Sequence, residues 1–251
     1  MGHGFIDRSS RLDSYVHRLD ARTKIILSLL FVILEVSIPP RHLLAFVIYA
    51  GLLLWTVALS RVPLGFVLKR ALMVLPFSAL VALGLPFFRG GELIVFWGIP
   101  LSVTGLWMLA GTSIKSMLGA VAFILLVATT PFSRLLDGLR RLGIPMIFVD
   151  MLALTYRYLY ILMDEATRLR RAAIARGYAP KWLPQAVIVG KLVGNLFIRS
   201  YERAERVYGA MHLRGYNGQI PTSASSWFPI HEKIGLVVII SILISVRLFI
   251  Q

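Results

Sequence analysis

The sequence predicts an all-α integral membrane protein, with about five transmembrane helices plus a cytoplasmic region of one short and two long helices. Three observations carry that reading. Hydrophobic residues make up 57% of the 251, more apolar surface than a soluble domain of this length buries. Charged residues are 16%, against about 25% in ordinary soluble domains. The 27 Lys and Arg also cluster between apolar runs instead of being spread along the chain.

Taken in order, residues 1–24 (MGHGFIDRSSRLDSYVHRLDARTK) are too polar for a secretory signal peptide, which places the N-terminus in the cytoplasm. Within them Leu12, Tyr15, Val16 and Leu19 follow the i, i+3, i+4, i+7 spacing of a helix lying on the inner leaflet. The apolar runs 25–38 and 42–59 follow, joined by three residues that begin Pro39-Pro40, and form a membrane hairpin. Further runs cover 71–88, 105–129 and 234–250. A span needs about 20 helical residues, so the first run recruits part of its flanks.

Five spans with a cytoplasmic N-terminus put 60–70 and 130–233 inside. Residues 1–24, 60–70 and 130–233 hold 5, 3 and 15 of the Lys and Arg, which is 23 of 27 on one side. Such asymmetry fixes orientation by the positive-inside rule. It also accounts for the net charge of +15, so nucleic-acid binding is not needed to explain it.

The segment 130–233 is the unusual part. It opens with TTPFSRLLDGLRRLGIP (129–145), a short amphipathic helix between prolines with Leu135, Leu136, Leu139 and Leu142 on one side. A long helix runs from Pro145 to Gly177, and another from about Pro184 to Arg214. Both are apolar early (146–163 and 185–198) and charged late. A membrane hairpin is the competing reading. Asp150, Arg157, Lys191 and Asn195 interrupt the apolar halves, which favours two helices at or below the cytoplasmic face.

Several chemistries are absent from the pattern. There is no cysteine, hence no disulfide or thiolate. No phosphate-binding loop exists: Gly190-Lys191 is followed by Leu192, and Gln185 stands where the first glycine belongs. His3, His17, His42, His212 and His231 are scattered, with no pair at metal-ligand spacing. The carboxylates Asp164-Glu165 and Glu202/Glu205 sit among arginines, where Asp164–Arg168 and Glu202–Arg206 suit ordinary i, i+4 ion pairs. Glu35 and Lys115 are the two ionisable residues deep within spans. Both fall in the outer half of the bilayer, where they suit an intramembrane pair, with a place on a transport path as the alternative.

One repeat stands out. RAAIARGYAP (171–180) and GAMHLRGYNG (209–218) share Arg-Gly-Tyr, with a small residue, Ala172 or Ala210, four positions before each Arg. Gly177 and Gly215 fit the position just past a helix end, where the backbone turns left-handed. Arg176 and Arg214 then complement the helix dipole, worth about 0.3–1 kcal/mol. They also suit a second use, because a guanidinium is a rigid fork matched to carboxylates. Capping and docking onto an acidic partner both account for the arginines.

The segments 12–25 (LDSYVHRLDARTKI), 129–145, 156–178 (YRYLYILMDEATRLRRAAIARGY) and 199–216 (RSYERAERVYGAMHLRGY) together resemble the transmembrane T component of energy-coupling factor (ECF) transporters, in its cobalt-type CbiQ form. The resemblance covers most of the chain in order. It implies that 130–233 is a coupling-helix region, flanked by 1–129 and by the last span at 234–251. It also implies that two Ala-Arg-Gly motifs dock onto two ATP-binding, CbiO-like subunits. The matching positions are Ala175-Arg176-Gly177 and Leu213-Arg214-Gly215; the second departs from the motif at Leu213, and Ala21 stands where the family often has proline. On the same resemblance the chain is a non-catalytic subunit that binds no cofactor itself, ATP being held by its partners. Motion then passes to a CbiM-like substrate subunit, working with a small CbiN-like one, in a prokaryotic cell membrane. Nickel or a vitamin are the alternative substrates. An integral-membrane enzyme or a secondary carrier is the more distant alternative.

Overall fold

The computed structural model describes residues 14–40, 42–88, 93–96, 99–178, 186–218 and 230–249. It is helical, with one short β-hairpin that sequence reading did not anticipate. The helices are α1 (Tyr15–Arg18), α2 (Ala21–Val36), α3 (Leu43–Ser60), α4 (Leu64–Leu72), α5 (Leu75–Ala82), α6 (Leu85–Phe88), α7 (Val103–Thr129), α8 (Phe132–Arg141), α9 (Met146–Ala175), α10 (Ala186–Leu213) and α11 (Ile230–Phe249). Between α6 and α7 the antiparallel strands β1 (Leu93–Phe96) and β2 (Ile99–Ser102) pair Leu93 with Ser102 and Phe96 with Ile99. Contacts divide the chain into two compact units. One is residues 142–225; the other is 2–141 with 226–251.

In the larger unit α7 is the central helix, packing against α2, α3, α4, α5 and α6. One apolar cluster joins Phe31, Leu34, Phe46, Tyr49, Leu118, Ala122 and Leu243 from α2, α3, α7 and α11. Phe31 and Tyr49 meet at a ring-centroid distance of 5.3 Å, and the Tyr49 hydroxyl donates to the Leu243 carbonyl at 3.2 Å. A second cluster joins Val57, Val62, Val67, Leu125 and Ala128. Gly111 explains how α7 comes so near the α2–α3 turn: a Cβ there would lie 2.6 Å from that of Pro40. The outer faces stay apolar, with Leu44, Trp55, Phe77 and Val81 each more than 65% exposed. In water such a surface would aggregate; in hydrocarbon it is solvated.

Three of the five expected spans are recovered, with changed limits. The helices at 43–60 and 103–129, and α4 with α5 taken together at 64–82, are long and apolar enough to cross a membrane. The run expected at 71–88 begins at Leu64, just after Pro63, and takes Lys69 and Arg70 into its first helix. It is then broken between α4 and α5, where Pro76 lies in the first turn of α5, and again before α6. Proline lacks the donor a continuous helix needs, so one run becomes three short helices. α2 has 16 residues, roughly 24 Å of helix against a hydrocarbon core of about 30 Å. In α11 the apolar helical stretch is Gly235–Arg247. The amphipathic N-terminal helix is only Tyr15–Arg18, and Leu12 lies outside the described residues.

The smaller unit pairs α9 with α10. α9 is itself long and apolar enough to cross a membrane. Asp150 and Arg157 lie within its apolar half. Its apolar half keeps Ile147, Phe148 and Met151 about as exposed as Val187, Val193 and Phe197 on α10, all near 60% or above.

Candidate functional site

The two Arg-Gly-Tyr stretches fold identically, for a reason visible in their hydrogen bonds. At the end of α9 the Gly177 N–H donates to the Ile174 carbonyl (3.0 Å) and the Tyr178 N–H to that of Ala173 (3.1 Å). At the end of α10 the Gly215 N–H donates to the His212 carbonyl (2.9 Å) and the Tyr216 N–H to that of Met211 (3.0 Å). Both are complete Schellman motifs. Each requires a left-handed residue after the cap, and φ is +85° at Gly177 and +81° at Gly215. Nothing crowds either glycine, so it is the dihedral and not space that calls for glycine there.

This closure determines what the arginines are left to do. Backbone donors already occupy the carbonyls of Ala173 and Ile174, and of Met211 and His212, so neither guanidinium is needed to satisfy those. Arg176 is the C-cap of α9, and Arg176 and Arg214 are both exposed. Among the described residues, neither has a carboxylate within ion-pair distance. Ala175 and Gly177 are exposed beside the first, and Leu213, beside the second, is 92% exposed. A leucine left this open at a cationic tip is a feature that the sequence motif, which departs there, did not flag.

Farther back, the charged half of α9 is tied to α10. Glu165, whose side chain is only 9% exposed, receives a hydrogen bond from Arg199 and lies 3.7 Å from Arg168. Spacing had paired Arg168 with Asp164; the structure brings it to the neighbouring carboxylate. The Arg199 hydrogen bond chiefly, with the charges of Arg168, Arg199 and Arg203, holds the Glu165 carboxyl below the usual carboxylate range. Sequence reasoning missed this cross-helix link because its partners lie 34 residues apart.

Glu35 and Lys115 are brought to the same place but not into a hydrogen bond. The Lys115 ammonium donates to the carbonyls of Val36 (2.8 Å) and Ile38 (2.6 Å), the last groups of α2 and its exit. Glu35 is fully buried, and its two oxygens have no hydrogen-bond partner. Lys115 thus acts as a C-terminal cap for α2, contributed by α7. Among the described residues, no three His, Asp or Glu side chains gather in a way that could hold a metal ion.

Apolar helices of spanning length, together with a separate two-helix unit tipped by arginines, define the class: a polytopic helical membrane protein. The chain belongs to the CbiQ family, whose model, described as cobalt transport protein, matches residues 13–224. It is 30% identical over 221 residues to an energy-coupling factor transporter transmembrane protein EcfT of Listeria innocua, covering 82% of each chain. It is 28% identical over 207 residues to the cobalt transport protein CbiQ of Rhodobacter capsulatus, covering 78% of each. A putative fused cobalt transport protein CbiMQ of Methanocorpusculum labreanum is 27% identical over 82% of this chain, which spans 35% of that longer protein. The chain is therefore a transmembrane T component of the energy-coupling factor type.

Proposed function

We propose that this chain couples two ATP-binding subunits to a membrane-embedded substrate subunit, without itself catalysing a reaction or binding ATP. The observation that carries the proposal is the pair of matched Schellman-capped tips, each presenting an exposed arginine while backbone N–H groups cap two carbonyls of the last turn. Arg176 and Arg214 are the docking cations, flanked by Ala175, Gly177, Leu213 and Gly215. Closure of the ATP-binding subunits then displaces the ends of α9 and α10. The exposed apolar side chains along those helices offer the surface through which a substrate subunit is moved. Lys and Arg asymmetry supports a cytoplasmic N-terminus and cytoplasmic tips.

The substrate proposed is the cobalt ion, supported by the family description and by relatives named for cobalt transport. The relative in which CbiM and CbiQ form one chain supports a CbiM-like subunit as the partner that holds the ion, with a CbiN-like one beside it. Pull-down of the ATP-binding subunits tests the docking. Arg176→Glu and Arg214→Glu each lower recovery, and the double change lowers it further, because the cation becomes repulsive toward an acidic surface. Unchanged recovery with the double variant refutes the docking role.

A further inference from the structure

The first turn of α2 is held from three directions, all within the larger unit. Lys24, only 7% exposed, donates from Nζ to the carbonyls of Thr129 (3.0 Å) and His17 (3.3 Å). Thr129 is the last residue of α7, so the ammonium closes the corner between α7 and α8. Glu232 of α11 accepts from the Asp20 N–H (3.0 Å) and the Thr23 hydroxyl (3.3 Å). α8 meets the same turn through Gly138, where a Cβ would lie 3.0 Å from Ala21 Cβ and 3.0 Å from Ile25 Cδ1. A buried ammonium is costly unless its hydrogen bonds are made, so this corner strongly prefers one arrangement.

Just past α8 the packing changes. Leu142 and Ile144 are 39% and 38% exposed, Gly143 has φ +90°, and the compact unit containing α9 and α10 begins at residue 142. The sequence groups α8 with the two long helices in one coupling-helix region, 130–233. Gly138 instead seats α8 on α2, and Lys24 holds the carbonyl of Thr129, from which the chain turns into α8.

We propose that Gly138 and Lys24 are positioning residues that keep α8 seated on α2 while the helices ending at Arg176 and Arg214 move, so that the moving segment starts at residues 142–145. The proposal rests on the coupling role set out above. It gives the short helix a task distinct from that of the two long ones: α8 is the fixed base from which they are displaced.

The absence of cysteine makes a direct test clean. Ala21→Cys with Gly138→Cys places two Cβ atoms near 3.0 Å apart, slightly inside the usual disulfide range of about 3.5–4.5 Å. In the assembled complex the disulfide forms to the same extent without nucleotide, with ADP and with a non-hydrolysable ATP analogue, and the oxidised complex keeps its ATPase activity. A yield that falls when nucleotide binds, or ATPase activity lost on oxidation and regained on reduction, overturns the proposal. Amide hydrogen exchange on the wild-type complex decides the matter even where the cysteine pair fails to assemble. Nucleotide-dependent changes start at 142–145 and leave 132–141 untouched; nucleotide-dependent deprotection of α8 overturns the proposal. With Lys24→Met those changes spread back into α8, and Lys24→Arg confines them again. A merely structural lysine would instead loosen α8 equally in every nucleotide state, which refutes the positioning role. Failure of the wild-type chain to retain ATP-binding subunits sinks the coupling role alone, since disulfide yield in the isolated chain still reports whether α8 is seated.

Discussion

Replacing Lys115 and Glu35 separately distinguishes a helix cap from an ion pair. Lys115→Met removes two hydrogen bonds, at 2.8 and 2.6 Å, from the carbonyls that end α2. Interhelical polar bonds in membrane proteins measure about 0.6–1.7 kcal/mol each, so the loss totals roughly 1–3 kcal/mol. Glu35→Leu removes no hydrogen bond, because neither carboxylate oxygen has a partner. Replacing a buried, unbonded polar group with an apolar one of similar size is neutral or stabilising, to within about 1 kcal/mol. The double variant should then lose about as much as Lys115→Met alone, because the Glu35 change costs little by itself. Denaturant unfolding in detergent micelles, followed by tryptophan fluorescence, measures all three. An ion pair predicts the opposite: breaking it from either side costs about 3–5 kcal/mol, and the second change adds little. Equal losses for Lys115→Met and Glu35→Leu, with a double variant no worse than either, refute the capping assignment.

The left-handed caps give a second expectation. Gly177→Ala and Gly215→Ala each destabilise the local helix end by about 1–2 kcal/mol, whereas asparagine, which tolerates that conformation, costs less; amide exchange of the last turn of α9 or α10 reads the difference. Glu165→Gln should loosen the pairing of α9 with α10, lowering the thermal midpoint and raising exchange near residues 165 and 199. The same link predicts a pH dependence. A carboxyl held below its ordinary range when folded contributes stability above that range and loses it as pH falls through the folded value. Acidification below the ordinary glutamate range should therefore weaken the wild-type pairing and leave Glu165→Gln unaffected. Equal acid sensitivity in both proteins refutes that assignment.

The parts of the fold legible in the sequence are those set by local chemistry. Apolar runs announced α3 and α7, and glycine after arginine announced both left-handed caps. What stayed hidden depends on partners distant in sequence. Nothing near Lys24 indicates that its ammonium reaches Thr129, 105 residues on, and nothing near Glu165 names Arg199. The split of the third span falls between these cases. Pro76 and Pro86 were visible, but an apolar run containing proline reads as one span until backbone hydrogen bonds show where it breaks. The hairpin at 93–102 escaped because two four-residue strands are too short for alternation to stand out.

Capping and docking looked like rival explanations of Arg176 and Arg214 only while the carbonyls at the helix ends lacked assigned partners. A helix C-terminus carries roughly half a negative charge, which by itself repels an acidic surface. In both motifs the tyrosine and glycine N–H groups take up two of those carbonyls, and among the described residues the arginine side chain meets no carboxylate. The cation then reverses the sign of the tip instead of completing the cap. Glycine and arginine are therefore needed for separate reasons: Gly177→Ala should weaken the helix end while sparing its charge, and Arg176→Glu should spare the cap while inverting the charge. If the two substitutions reduced ATP-binding-subunit recovery equally, with identical loss of last-turn protection, the separation of roles would be wrong.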